Sequence, residues 1–99
     1  MIKHIVMWKL AEGANAELLQ ARLMELAGNI PGLLDIEVGI DFLGSAQSAD
    51  LVLTATLESR AALDAYQQHP AHQAVVPLMQ AATVERRVVD TTAERLAKR

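Results

Sequence analysis

Four segments of this chain read as strands, and a stripe of apolar residues at helical spacing follows the first and the third of them. That order constrains the fold more tightly than any other feature. Ile2 to Leu10 sets Ile2, His4, Val6, Trp8 and Leu10 on one face and Lys3, Ile5, Met7 and Lys9 on the other, because successive strand residues point to opposite faces. Asn15 is a suitable N-cap, after which Leu19, Leu23, Leu26, Ala27 and Ile30 recur at spacings of three and four, the stripe of an amphipathic helix. Its end is expected near Gly28-Asn29, since glycine supplies a left-handed C-cap and Pro31-Gly32 cannot continue a helix.

A second strand is expected from Leu34 to Phe42, with Ile36, Val38, Ile40 and Phe42 opposite Glu37, Gly39 and Asp41. The polar stretch Gly44 to Asp50 reads as a loop, short enough for an antiparallel connection to a third strand over Leu51 to Leu57. Ser59 can cap a helix carrying Ala62, Leu63 and Tyr66, which must break at His69-Pro70 because the residue before proline avoids helical torsions. A second helical segment restarts at Pro70 with Val75, Leu78, Met79 and Ala82 on its apolar side, and Pro77 is expected to bend it. Thr83 to Asp90 is the last strand. The order β-α-β-β-α-β predicts an α+β fold, a ferredoxin-like sandwich of one antiparallel sheet with both helical units on one side. One domain is expected over residues 1–90, with 91–99 as a frayed tail.

The face of the sheet turned away from the helices presents Ile5, Met7, Val52, Thr54 and Thr56. It is too apolar to be left to water, and a second sheet packed on it would cover it. A chain of 99 residues also has a modest core of its own. Periodicity and size together predict a homodimer that closes a dimeric α/β barrel.

Composition excludes several classes. No apolar run approaches the roughly 18 residues needed to cross a bilayer, and the N-terminus is too alternating for a signal peptide, so neither a membrane partner nor export is expected. A cytoplasmic location follows as an expectation. There is no cysteine, hence no disulfide framework and no thiolate nucleophile or metal site. Nine Lys and Arg against 12 Asp and Glu, dispersed along the chain, speak against nucleic acid as a partner. Nothing resembles a Gly-rich phosphate loop or a serine nucleophile elbow, and no cofactor is expected.

His4-Ile5-Val6-Met7-Trp8-Lys9-Leu10, then Ile30-Pro31-Gly32, then Tyr66-Gln67-Gln68-His69-Pro70-Ala71-His72 occur in that order. Together with Asp50-Leu51-Val52-Leu53 and Val88-Val89-Asp90, they resemble the stress-responsive dimeric A/B-barrel (Dabb) family, from about Met1 to Asp90. The resemblance implies a homodimer of back-to-back sheets, a capacity in some members for larger assemblies, and in many members no established activity. One plant branch consists of cofactor-free polyketide cyclases whose pocket lies between sheet and helices. Its first-strand histidine and the tyrosine and last histidine of the Tyr-x-x-His-Pro-x-His run fall on His4, Tyr66 and His72. A further pocket histidine of those cyclases falls on Leu51, and their aromatic first-helix lining falls on Leu19, Leu23 and Met24. A pocket of this kind would be lined by Val6, Trp8, Ile36 and Leu53 from the sheet and by Leu19, Leu23, Met24, Val75 and Leu78 from the helices.

Read from the residues alone, His4 is either a core histidine satisfied by a neighbour or a pocket group. Tyr66 and His72, six positions apart, would point about 240° away from each other on an unbroken helix. The break at His69-Pro70 can bring them to one cavity; otherwise Tyr66 is core and His72 lies on the surface. His69 is expected to cap the second segment. A metal site at His69 and His72 is not expected, since Asp64 is the sole acidic residue close by. Arg86 and Arg87 flanking Glu85 are expected to form a strand-edge salt-bridge cluster. Three functions follow: a dimeric barrel binding a small, partly apolar molecule with acid/base chemistry from His72 and Tyr66, a non-catalytic stress or assembly protein whose role is the oligomer, and a cofactor-free monooxygenase on the same barrel.

Overall fold

A computed structural model of the chain describes residues 1–92. The elements run β1 (Ile2–Leu10), α1 (Ala16–Met24), β2 (Leu33–Ile40), β3 (Leu51–Leu57), α2 (Arg60–Gln68), α3 (Pro70–Ala82) and β4 (Thr83–Thr91). The strands form one antiparallel sheet in the order β2-β3-β1-β4. This is the ferredoxin-like α+β fold that the order of periodicities predicts.

The helices start where short polar side chains can satisfy free backbone N–H groups. Asn15 accepts from the Leu18 N–H, Ser59 from the Ala62 N–H, and His69 Nδ1 from the Ala71 N–H at 3.0 Å. His69 therefore closes α2 and opens α3, with extended torsions that turn the chain between them. The helix continues through Pro77 to Ala82. The core fills the space between helices and sheet: Val6, Trp8, Ile36, Leu51, Leu53 and Leu57 below, and Leu19, Leu23, Leu63, Tyr66, Val75 and Met79 above. Each fully buried aliphatic side chain contributes roughly 1.5–3 kcal/mol.

The Pro31-Gly32 turn is fixed by space as well as by torsion. Gly32 has φ +85°, and a Cβ there would lie 2.8 Å from the Ala62 Cβ of α2. Glycine alone lets the chain pass that close to the helix.

Three expected boundaries move. The regular part of α1 ends at Met24, and turns bonded Leu26 to Leu23, Ala27 to Met24 and Asn29 to Leu26 carry the chain onward. Leu26 and Ile30 stay buried across that change. β2 spans Leu33–Ile40, shorter at its far end than expected, because the Asp41 carboxylate accepts the Gly44 N–H at 2.7 Å and turns the chain there. Phe42, assigned from its alternation to the buried face of that strand, is 98% exposed. β4 continues to Thr91, which pairs with Lys3, so the frayed tail expected over 91–99 does not begin there; residues 93–99 of it lie outside the described residues.

The face away from the helices carries Ile5, Met7, Val52, Thr54 and Val89 in register. Met7 and Val89 are 45% and 53% exposed, and Phe42 and Leu43 project from the neighbouring loop.

Candidate functional site

The site lies between the helix-facing side of β1 and the α2–α3 corner. β1 alternation turns His4 and Trp8 towards the helices, and the sheet register sets Asp90 of β4 opposite His4 and Arg86 opposite Trp8. From above, α2 contributes Tyr66 and α3 contributes His72. The turn at His69 cancels the divergence an unbroken helix would impose, leaving the Tyr66 and His72 ring centroids 4.7 Å apart. The His4 ring meets Tyr66 edge-on at 5.8 Å.

These rings border a cavity of about 290 Å³. Trp8, Leu23, Leu53, Val75, Val76 and Met79 make its apolar wall, and His4, Tyr66, His72, Gln80, Thr83 and Arg86 supply polar groups. Of the residues expected to line a pocket, Trp8, Leu23, Leu53 and Val75 do so. Val6, Leu19 and Ile36 are buried in the core away from it, and Leu78 is half-buried against that core. Met24 is 41% exposed and borders a separate groove with Leu33 and Leu34. One step along a helix is about 100°, so the residue after inward-facing Leu23 turns outward.

Hydrogen bonds hold one nitrogen of each histidine ring. His4 Nδ1–H donates to Asp90 Oδ1 at 2.5 Å, and His72 Nδ1–H donates to the Gln67 carbonyl at 3.1 Å. Among the described residues no buried side-chain nitrogen or oxygen lacks a partner, and none engages His4 Nε2, His72 Nε2 or the Tyr66 hydroxyl. All three residues line the cavity. With Nδ1 protonated, each Nε2 of a neutral imidazole carries a lone pair.

Burial sets the charge states. It pushes the Tyr66 phenol up to about 12, against a smaller downward pull from Arg86. It also lowers the pKa of His72, opposed by the Gln67 bond and assisted by His4 and Arg86. Near neutral pH the cavity thus holds a neutral imidazole base at His72 and a neutral phenol donor at Tyr66. Among the described residues no group of three or more His, Asp and Glu could hold a metal ion.

The model of the stress responsive A/B barrel domain matches residues 2–93. The chain belongs to that family. Several solved structures share the A/B-barrel protein's fold. A dimeric ferredoxin-like protein of unknown function from Jannaschia is 31% identical, with TM-score 0.77 over 93% of this chain and 98% of its own. Hydroxynitrile lyase from Passiflora edulis, at 14% identity, has TM-score 0.83 over 98% of this chain and 96% of its own. An antibiotic biosynthesis monooxygenase, at 22% identity, has TM-score 0.75 over 96% of this chain and 100% of its own. The two enzymes share the fold alone. No curated protein matches the sequence.

Two polar groups of the site escape a reading of the A/B-barrel sequence by segments. Asp90 looks like a strand end, and Arg86 like half of an arginine pair. Alternation in fact sends Arg86 to the face opposite Glu85 and Arg87, and among the described residues none of the three is in an ion pair, so the expected cluster is not found there. Pairing β4 antiparallel against β1 reveals Asp90 as the partner of His4, a signal that lies in register and not in local composition.

Proposed function

We propose that this A/B-barrel protein works as a homodimer that binds a small, partly apolar molecule in the cavity and moves a proton on it without a cofactor. The observation that supports this reading is the meeting of the His4, Tyr66 and His72 rings at one cavity with an apolar wall. One nitrogen of each ring is held by the protein, His4 Nδ1 by Asp90 and His72 Nδ1 by the Gln67 carbonyl, which supports a fixed orientation of both imidazoles at the cavity. The half-apolar open face of the sheet supports the dimer, as does the dimeric relative from Jannaschia.

The chemistry follows from charge state. His72 takes a proton from a carbon next to a carbonyl, becoming imidazolium. The electron pair moves onto the carbonyl oxygen, and the neutral Tyr66 hydroxyl hydrogen-bonds the enolate that forms. Protonation of another atom returns His72 to its starting state. His4, aligned by Asp90, borders the same cavity.

Solvent-deuterium exchange into phenylacetone tests this directly. The protein should accelerate exchange at the carbons flanking the carbonyl, and His72→Gln and Tyr66→Phe should each lower the acceleration by roughly a hundred-fold. Exchange no faster than in buffer, with the His4 and His72 ring signals unmoved by the ketone, would leave the oligomer itself as the function. Oxygen uptake with a quinol would align the protein with the monooxygenase chemistry instead.

A further inference from the structure

Among the described residues one arginine stands on the cavity wall. Arg86 lines it from β4, yet among the described residues no carboxylate forms an ion pair with its guanidinium. Asp90, the acid on the same face of β4, is engaged by His4. Glu85 points to the other face, opposite Lys9 in the sheet. Arg86 is an exposed residue that also borders a cavity walled by Leu23, Leu53, Val75 and Met79.

We infer that the molecule this cavity takes is a small carboxylic acid with an apolar body, its carboxylate held by Arg86. The inference rests on the cavity reading above and names its ligand class. Guanidinium presents forked donors that match a carboxylate in two parallel hydrogen bonds. Arg86 is the one arginine or lysine on the cavity wall among the described residues, and the apolar wall accepts a hydrocarbon or aryl body. At about 290 Å³ the space lies at the lower end of ligand pockets, which suits a small acid. The guanidinium charge is felt by both Tyr66 and His72, so a carboxylate seated on Arg86 lies beside the proton-transfer pair.

The test uses phenylacetate and hexanoate, each against its uncharged amide, titrated into the whole protein near neutral pH while the His4 and His72 ring signals are followed by nuclear magnetic resonance. The acids should bind on the order of ten-fold more tightly than the amides, as a charged hydrogen bond at a partly exposed site gives. Arg86→Gln should erase that preference and Arg87→Gln, on the opposite face, should keep it. Both side chains are exposed, so both variants should fold, which thermal melting checks. Equal binding of acids and amides to the unaltered protein would overturn the inference, as would loss of the preference in Arg87→Gln but not in Arg86→Gln. In either case the ring signals still move and the cavity reading survives. If neither acid nor amide moves the rings, the cavity reading falls and takes this inference with it.

Discussion

Strands β3 and β4 flank the same central strand, β1, and both contain alternating branched residues, yet they live in different surroundings. Every residue of β3 is buried or half-buried, whereas β4 has none buried and is half-buried only at its two ends. Helix α1 packs on β2 and α2 on β1, β2 and β3, whereas β4, at the sheet edge, meets chiefly α3 and stays exposed along its middle. β3 therefore supplies packing energy, while β4 can carry Arg86 and Asp90 without the desolvation cost that buried charges incur. The strand that contributes least to the core brings two charged groups to the candidate site.

The largest effect that sharpens this contrast is expected from Leu57→Ala on β3. Leu57 is 0% exposed, and a truncation there should cost about 2–5 kcal/mol, whereas Val84→Ala on β4, 66% exposed, should stay within about 0.5 kcal/mol. Urea denaturation at one fixed protein concentration compares them, since the stability of a homodimer would depend on concentration. Similar costs would break the distinction between the strands. Next in size is Val52→Asp, on the open side of β3. A carboxylate buried between two sheets should weaken the dimer by at least roughly ten-fold, and the loop change Glu12→Lys should not. Sedimentation reads this, and an unchanged association constant would remove the open face from the interface.

The strand contrast also explains what could be read from residues alone. The order of elements, the inward faces of β1 and β3 and the caps at Asn15, Ser59 and His69 are written locally, in period and in short polar side chains. The end of β2 is not, because alternation persists to Phe42 while the Asp41 turn has already ended the ladder. The meeting of Tyr66 and His72 depends on the angle of a chain break, which His69-Pro70 announces without fixing. Met24 sits next to inward-facing Leu23, so its misplacement is an error of one helical step. Asp90 and Arg86 become legible only after β4 is aligned against β1, since register is a relation between segments 80 or so residues apart.

A smaller effect is expected from Asp90→Ala. The Asp90 side chain is 41% exposed, so loss of its pairing with His4 should change stability by less than about 1 kcal/mol. The ring should nonetheless lose its fixed tautomer, visible as a change in the two His4 ring nitrogen signals. Unaltered nitrogen signals would show that the protein holds His4 by some other means, and β4 would lose one of its two claims on the site.

The smallest effect concerns His72, and its sign can be worked out. Burial lowers its pKa; the Gln67 hydrogen bond opposes the shift, and His4 and Arg86 add to it. In the window between the folded pKa and the unfolded value of about 6.5, the unfolded chain binds more protons than the folded one. Stability should therefore rise with pH through that window and fall as pH drops below about 6.5, with no contribution from His72 well above it, where both states are neutral. His72→Gln should flatten this part of the melting-temperature profile between about pH 5 and pH 7. Arg86→Gln should also reduce the slope, by less, because its charge is one of the smaller causes of the shift. Were the His72→Gln profile as steep as the original, another group would be titrating there, and burial would not be what keeps His72 neutral as a base.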